Sequence, residues 1–347
     1  MAATSRTINY DALLSLTADM YHKKGVVQDG VFNSNIVLKT LRDKGFKTEE
    51  TGGAKIQSNI MYGKSSTVGS YSTYEVLDVA PQDGVTAAFY DWCQYSGAVS
   101  IDGMSKFKNS GKSQIQSLLQ EKVKQATMSF SERMNENLMD ITNAADATGN
   151  GGKNIISIPN LVQYSTFAAN ETVGTINQTN ESWWRNHVAE SAATTYAGLS
   201  KEMRKMYNDC SKGTGGTPDI LIADQNTFEL YETGMDDKVR YAYTDNASVG
   251  FENIKFKGAK LFWDVAVPDA YTGVNFDSGS FAKGSIYFLN SEFLNYCVGK
   301  GFDFAPQGFK TPVDQDASTA LYLFYGQLIA NNLRKHGVLG NIATTLS

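Results

Sequence analysis

The amino-acid sequence predicts an α+β fold, built as one large domain or as two to three smaller ones. Three observations indicate this class: a glycine-rich segment with strand-like alternation, one very long amphipathic helix, and a region where short strands and helices follow one another. Hydrophobic residues make up 41% of the 347 residues and charged residues 19%, which is typical of a folded globular chain.

Residues 1–45 are predicted to form a polar arm with one short amphipathic helix before Gly25. This segment has no signal-peptide layout, and no stretch of the sequence approaches the roughly 20 apolar residues needed to cross a membrane. The sequence therefore predicts no membrane partner. The apolar residues of the short helix are Leu13, Leu14, Leu16, Ala18 and Met20.

The following segment predicts a long two-stranded β-hairpin. Residues 50–84 are rich in glycine, serine, threonine and tyrosine, and residues 70–75 alternate as expected for a strand. The hairpin carries little apolar core of its own, and an isolated hairpin is marginally stable in water. Something else must therefore cover it.

A long helix is the clearest element. Apolar residues recur at spacings of three and four from Lys112 to Ile141, and they form one stripe. Gly149, Gly151 and Gly152 are predicted to end the helix. The stripe consists of Ile115, Leu118, Leu119, Val123, Ala126, Phe130, Met134, Leu138 and Ile141.

Strands and helices are mixed over the remainder of the chain. The sequence predicts a buried strand at Ile220–Ala223, with the Asp224 carboxylate capping a helix that begins near Gln225. Further elements are predicted as a strand at 154–162, a helix at 197–210, a strand around 254–256 and strands at 285–298 and 319–333.

Chemical motifs are weak, and the sequence predicts no catalytic residue, metal site or cofactor. The isolated His22, His187 and His336 have no Cys, Asp or Glu at a metal-binding spacing. Gly63 and Gly111 begin Gly-Lys-Ser sequences but lack the upstream glycine of a phosphate-binding loop.

Charge and cysteine usage restrict the partners further. The formal net charge of −5 provides no sequence-wide basic surface for nucleic acid. Cys93, Cys210 and Cys297 are odd in number and far apart, which argues against a disulfide framework and for a reducing compartment.

The order of these segments resembles the major capsid proteins of tailed bacteriophages, which share the HK97-type fold. Residues 61–92 resemble the extended E-loop of that family, the helix from Lys112 resembles its spine helix, and residues 303–342 resemble its returning P-domain strands. The segments that resemble the A-domain are 172–186, 218–232 and 250–269. The implied organisation is an N-terminal arm at 1–45, an E-loop at 46–95, a P-domain at 96–155, an A-domain at 156–285 and return strands at 286–347.

The resemblance implies a structural function without catalysis: a subunit that assembles into pentamers and hexamers of an icosahedral shell around double-stranded DNA. It implies assembly in the host cytoplasm and a final location in the virion capsid. It also implies a portal protein as a partner. Only about 45 residues precede the hairpin, so a separate scaffolding protein is expected, with an already processed form of a longer chain as the alternative. Two alternatives remain open: an encapsulin-type nanocompartment shell, and an enzyme with an unrecognised active site.

Candidate inter-subunit residues follow from the same resemblance. A neighbouring subunit is expected to bury the apolar residues of the hairpin, namely Ile60, Met61, Tyr71, Tyr74 and Val76. Glu132 and Glu136 lie in the second half of the long helix, where the helix dipole disfavours acidic residues. We therefore expect them to interact with a neighbour's arm or hairpin, or to face the packaged DNA. A solvated face is the competing interpretation. Trp183, Trp184 and Arg185 are candidates for a subunit contact, with core packing as the alternative.

Overall fold

The structure is a computed structural model. The residues it describes are 47–77, 79–108, 114–140, 153–165, 167, 172–213, 215–236, 254–267, 284–303, 305–306, 310, 316–343 and 345–346. The arm helix predicted within residues 1–45 lies outside these ranges.

Strands dominate the described part of the chain. They are β1 Lys47–Glu50, β2 Ile56–Met61, β3 Val85–Tyr90, β4 Cys93–Asp102, β5 Thr172–Val173, β6 Ile176–Asn177, β7 His187–Glu190, β8 Ile220–Ala223, β9 Ile254–Phe256, β10 Ala259–Trp263, β11 Gly284–Leu289, β12 Leu294–Gly299, β13 Ala305–Pro306, β14 Ala317–Ala330 and β15 Gly337–Ile342. The helices are α1 Gly103–Lys108, α2 Gln114–Met139, α3 Ile158–Leu161, α4 Tyr196–Cys210 and α5 Gln225–Asp236, with short 3-10 turns at Ser182–Trp184, Ser291–Phe293 and Leu333–Lys335.

A six-stranded mixed sheet has the strand order β7-β15-β11-β8-β10-β9. Both faces of its central strands are buried, because α4 and α5 pack on one face and a second apolar cluster covers the other. In β8, Leu221 faces the helices, whereas Ile220 and Ile222 face the second cluster. The predicted Asp224 cap is confirmed: its carboxylate accepts the N–H of Thr227 at 3.1 Å, at the start of α5.

A second sheet has the order β1-β12-β14-β13, and β4 also pairs with β14 along its whole length. The long helix α2 packs against β4, where the Phe130 ring lies against the backbone of Gly97 and makes an edge contact with Tyr95. A side chain at Gly97 would crowd that ring, so the small residue permits the close approach of helix and sheet.

The predicted hairpin is confirmed at its base but is shorter than expected. Strands β2 and β3 pair antiparallel from Ile56–Tyr90 to Met61–Val85. The alternation at 70–75 does not form a strand. Instead, the Glu75 N–H bonds the Ser72 carbonyl at 3.1 Å, and the Glu75 carboxylate accepts the Ser72 N–H at 2.9 Å, which closes a turn.

Two other predictions need correction. Residues 154–162 do not form a strand, because Ser157 caps the short helix α3 and Pro159 occupies its first turn, where proline is compatible with a helix. The long helix was predicted correctly, but it ends at Met139, ahead of the glycines expected to end it. Within the described ranges, no helix combines the length and apolarity needed to span a membrane.

Candidate inter-subunit surface

The hairpin tip, defined as residues 62–84, exposes an unusual number of apolar side chains. Tyr74 is 99% exposed and Val76 94% exposed, and Tyr71 is also largely exposed. So many exposed apolar side chains on one element are typical of a surface that another molecule covers. The other exposed apolar side chains of the tip and the residues next to it are Met61, Tyr62, Val68, Leu77, Val79 and Val85.

The hairpin base behaves differently. Residues of β2 alternate between buried and exposed, so Ile56 and Ile60 face the core while Met61 faces outward and is 80% exposed. Ile60 is only 6% exposed and belongs to the chain's own apolar core. Ile60 therefore needs no neighbour to bury it, and the prediction that it lies in an inter-subunit contact is wrong. The register in which β2 pairs with β3 decides which β2 side chains face the core, and this register could not be read from the sequence.

Trp184 is also a core residue. Its side chain is buried, and its indole N–H donates to the Val173 carbonyl at 3.0 Å. This is the packing alternative considered from the sequence. Arg185 donates from Nε to the Gln178 carbonyl at 2.5 Å and from Nη2 to the Thr179 carbonyl at 2.6 Å. Its hydrogen bonds therefore hold a local loop.

Trp183 is half-buried, and its ring stacks on Tyr62 with a centroid distance of 4.7 Å and an interplanar angle of 21°. The contact joins the first residue of the tip to the turn at Ser182–Trp184. Sequence reasoning selected Trp183 but missed Tyr62, because nothing in the local pattern links two residues so far apart in the chain.

Glu132 and Glu136 lie on the exposed side of α2. Glu136 pairs with Arg133 one turn earlier, at 3.1 Å, and both side chains are well exposed. Exposed ion pairs of this kind contribute roughly 0–1 kcal/mol. Both acidic residues are thus available on the surface, as an inter-subunit role requires.

The three cysteines and His336 are buried in the folded chain. Burial raises the pKa of the Cys93, Cys210 and Cys297 thiols to about 12, which makes them unreactive at neutral pH. Burial also lowers the pKa of His336 to about 4, and its Nδ1 accepts the Asn290 N–H at 3.2 Å. Among the described residues, no group of three His, Cys, Asp or Glu is placed to hold a metal ion.

No protein-family model matches the sequence, and no curated protein matches it. Solved structures of shell proteins do match the fold. The capsid asymmetric unit of cyanophage A-1(L) has a TM-score of 0.65 and 14% identity, over 92% of this chain and 95% of that one. The capsid of a native GTA particle has a TM-score of 0.57 and 10% identity, over 99% and 95% of the two chains.

A third match is the holo-SrpI encapsulin complex from Synechococcus elongatus PCC 7942. Its TM-score is 0.55 and its identity is 12%, over 95% of this chain and 96% of that one. Each alignment spans nearly the whole of both chains. The chain therefore has the mixed α+β, HK97-type fold of the capsid proteins, as the sequence predicted.

Proposed function

We propose that the chain is the major capsid protein of a tailed bacteriophage, a structural subunit without catalytic activity. The observation that carries this proposal is the exposed apolar hairpin tip on a chain that matches phage shell proteins along nearly its whole length. A subunit of a shell meets copies of itself on several sides, so apolar surface that is exposed in one chain becomes buried in the particle.

We assign the family's parts to the segments of this chain as follows. The hairpin of β2 and β3 with its tip is the E-loop, within residues 46–95, and α2 is the spine helix of a P-domain at 96–155. The six-stranded sheet belongs mainly to an A-domain at 156–285, and residues 286–347 supply return strands to both sheets. Residues 1–45, which lie outside the described ranges, are proposed as the N-terminal arm by analogy with the family.

The proposed assembly consists of pentamers and hexamers in an icosahedral shell around double-stranded DNA. Met61, Tyr71, Tyr74 and Val76 would lie against a neighbouring subunit, where burial contributes about 25 cal/mol per Å² of apolar area. Glycines in the tip, such as Gly69, permit the tip to bend so that one chain fits both pentamers and hexamers. We include a separate scaffolding protein, a portal and assembly in the host cytoplasm in the proposal, with the virion as the final location.

Negative-stain electron microscopy of the purified chain, together with size-exclusion chromatography, tests the proposal. We expect shells, or rings of five and six subunits, and we expect scaffolding protein to promote shells if the chain alone stays small. A chain that remains monomeric or dimeric with phage partners and at high concentration would contradict the proposal.

An encapsulin-type shell is the second candidate, because the SrpI encapsulin complex shares the fold over nearly the whole chain. The phage capsid is preferred, since the cyanophage capsid has the higher TM-score. The contents of particles made in the native host separate the two. Nuclease-protected double-stranded DNA supports the phage capsid, whereas a protein cargo without DNA supports the nanocompartment.

A further inference from the structure

We propose that Tyr62 and Trp183 form a clamp that sets the direction in which the hairpin tip leaves the body of the subunit. The inference rests on the proposed function, because the tip must point at a neighbour for the direction to matter. Tyr62 is then a positioning residue for assembly, and no part of its role requires contact with the neighbouring chain.

Tyr62 connects both sides of the hairpin to the body. Its backbone N–H donates to the Gly84 carbonyl at 3.0 Å, and its hydroxyl donates to the Asp83 carbonyl at 3.1 Å. Its ring meanwhile stacks on Trp183. The backbone bond to Gly84 already ties the outgoing segment to the returning segment, and the ring stack on Trp183 ties both to the body at the point where the paired strands end. Both contacts persist with a phenylalanine ring, and the hydroxyl bond only adds to the first of them.

The Trp183 ring is held in place by its neighbours. Its indole N–H donates to the Glu181 carboxylate, and it packs beside the buried Trp184 ring at a centroid distance of 5.8 Å. The hydrogen bonds of Trp184 and Arg185 to backbone carbonyls fix the loop on either side. The surface on which Tyr62 rests is therefore built by several contacts and does not depend on Tyr62 itself.

A second contact fixes the base of the hairpin nearby. The Phe89 N–H donates to the Gly174 carbonyl at 3.0 Å. Gly174 has a φ of +59°, and a Cβ placed there would lie 2.8 Å from the Ala88 Cβ, so the close approach requires glycine. With Phe89–Gly174 in β3 and Tyr62–Trp183 at the start of the tip, the hairpin is held to the body at two points.

Beyond the clamp, the tip is held by contacts of its own. The side chains of Ser65 and Ser66 bond Thr67 and Gln82, which are both tip residues. Gly63 and Gly84 follow the clamp directly and approach closely, since a Cβ on Gly63 would lie 3.0 Å from the Gly84 Cα. The two segments of the tip thus run side by side without bulky side chains immediately after the last aromatic contact, which makes this the natural pivot.

Geometry explains why the direction of the tip matters. Each arm of the tip has about 11 residues and reaches at most about 35 Å at roughly 3.3 Å per residue. A rotation of about 10° at the pivot therefore moves the far end by roughly 6 Å. That displacement is enough to move a tip side chain out of its contact with the neighbouring subunit. If only a tenth of the subunits point the tip correctly, the concentration needed for assembly rises about tenfold.

The test compares Tyr62→Ala with the matched control Tyr62→Phe, which keeps the stacked ring and removes only the hydroxyl. Spin labels on Ser70→Cys in the tip and Lys201→Cys on α4 report the tip-to-body distance in the full chain below its assembly concentration. The natural cysteines are buried and unreactive, so the labels attach at the two introduced sites. We expect a narrow distance distribution for the parent chain and for Tyr62→Phe, and a broad one for Tyr62→Ala.

Assembly and stability are measured on the unlabelled variants. We expect Tyr62→Ala to raise the assembly concentration about tenfold with a nearly unchanged urea midpoint, and Tyr62→Phe to assemble like the parent. Tyr62→Leu serves in place of the alanine variant if that chain does not fold, since it keeps apolar bulk without the ring.

The outcomes separate the clamp from the function on which it rests. A distance distribution as narrow in Tyr62→Ala as in the parent overturns the clamp. So does a broad distribution with unchanged assembly. A parent chain that never forms shells contradicts the proposed function, yet the distance measurement still decides whether Tyr62 holds the tip.

Discussion

The base and the tip of the hairpin are continuous in sequence but differ in what covers their apolar side chains. Tyr90 and Ile56, in the base, are buried by the subunit's own core. Tyr74 and Val76, in the tip, are almost fully exposed. Apolar residues of one structural element can therefore stabilise two separate processes. Those at the base stabilise folding of the subunit, and those at the tip stabilise association of subunits.

Truncation of a base residue should have the largest effect. Tyr90 is buried, and its hydroxyl donates to the Ala330 carbonyl at 3.0 Å. Tyr90→Ala is expected to lower the free energy of unfolding by about 3–5 kcal/mol, measured by urea denaturation. The control Tyr90→Phe should lose only about 1–3 kcal/mol, because the ring stays and one buried carbonyl loses its donor. An unchanged midpoint for Tyr90→Ala would show that the base is not part of the folding core.

Mild acid should destabilise the folded body. His336 has a folded-state pKa of about 4, below its unfolded value of 6.5, so the unfolded chain binds the proton more readily. The contribution to stability is present above pH 6.5 and is lost as the pH falls towards 4, with a total of about 3 kcal/mol. His336→Gln should flatten the pH dependence of the urea midpoint between pH 6.5 and 4. Parallel pH profiles for the two chains would contradict this assignment.

Polar substitution in the tip should leave folding intact and weaken association. The double variant Tyr74→Ser, Val76→Ser is expected to change the free energy of unfolding by less than about 0.5 kcal/mol, since both side chains are exposed in the single chain. It should raise the assembly concentration at least about tenfold, which corresponds to roughly 1.4 kcal/mol. Light scattering against concentration measures this shift. Equal losses of stability and assembly would remove the distinction between base and tip.

Charge reversal on the long helix should weaken assembly less than the tip variant does. Glu132→Lys with Glu136→Lys removes one exposed ion pair, so the free energy of unfolding should change by less than about 1 kcal/mol. We expect assembly to weaken several-fold if these acids meet a neighbour. The neutral pair Glu132→Gln, Glu136→Gln should have an intermediate effect. Unchanged assembly in both variants would identify a solvated face.

Local signals explain which parts of the fold could be predicted. The α2 stripe and the strand–Asp224–helix sequence at 220–236 depend on periodicity and on one cap, so they can be read from neighbouring residues. The strand predicted at 154–162 failed because a serine cap and a proline in the first turn outweigh an apolar run. These errors concern short segments in which few residues decide between helix and strand.

Long-range contacts explain what was missed at the candidate surface. Ile60 and Met61 are both apolar, and only the pairing register places Ile60 inside and Met61 outside. The Tyr62–Trp183 stack likewise joins distant parts of the chain, and no periodic pattern encodes it. Residues 70–75 pair with no strand among the residues that the structure describes. Tyr71, Tyr74 and Val76 are therefore exposed in the single chain.

Hydroxyl-radical footprinting of free subunits and of assembled shells shows whether a neighbouring copy covers the hairpin tip. Met61, Tyr71 and Tyr74 carry reactive side chains and are exposed in the single chain, whereas Tyr90 is buried and serves as an internal control. We predict strong oxidation of the three residues in free subunits and a loss of oxidation of about fivefold or more in shells, with Tyr90 protected in both. Tip residues that oxidise equally in subunits and shells would contradict the claim that a neighbouring copy covers them.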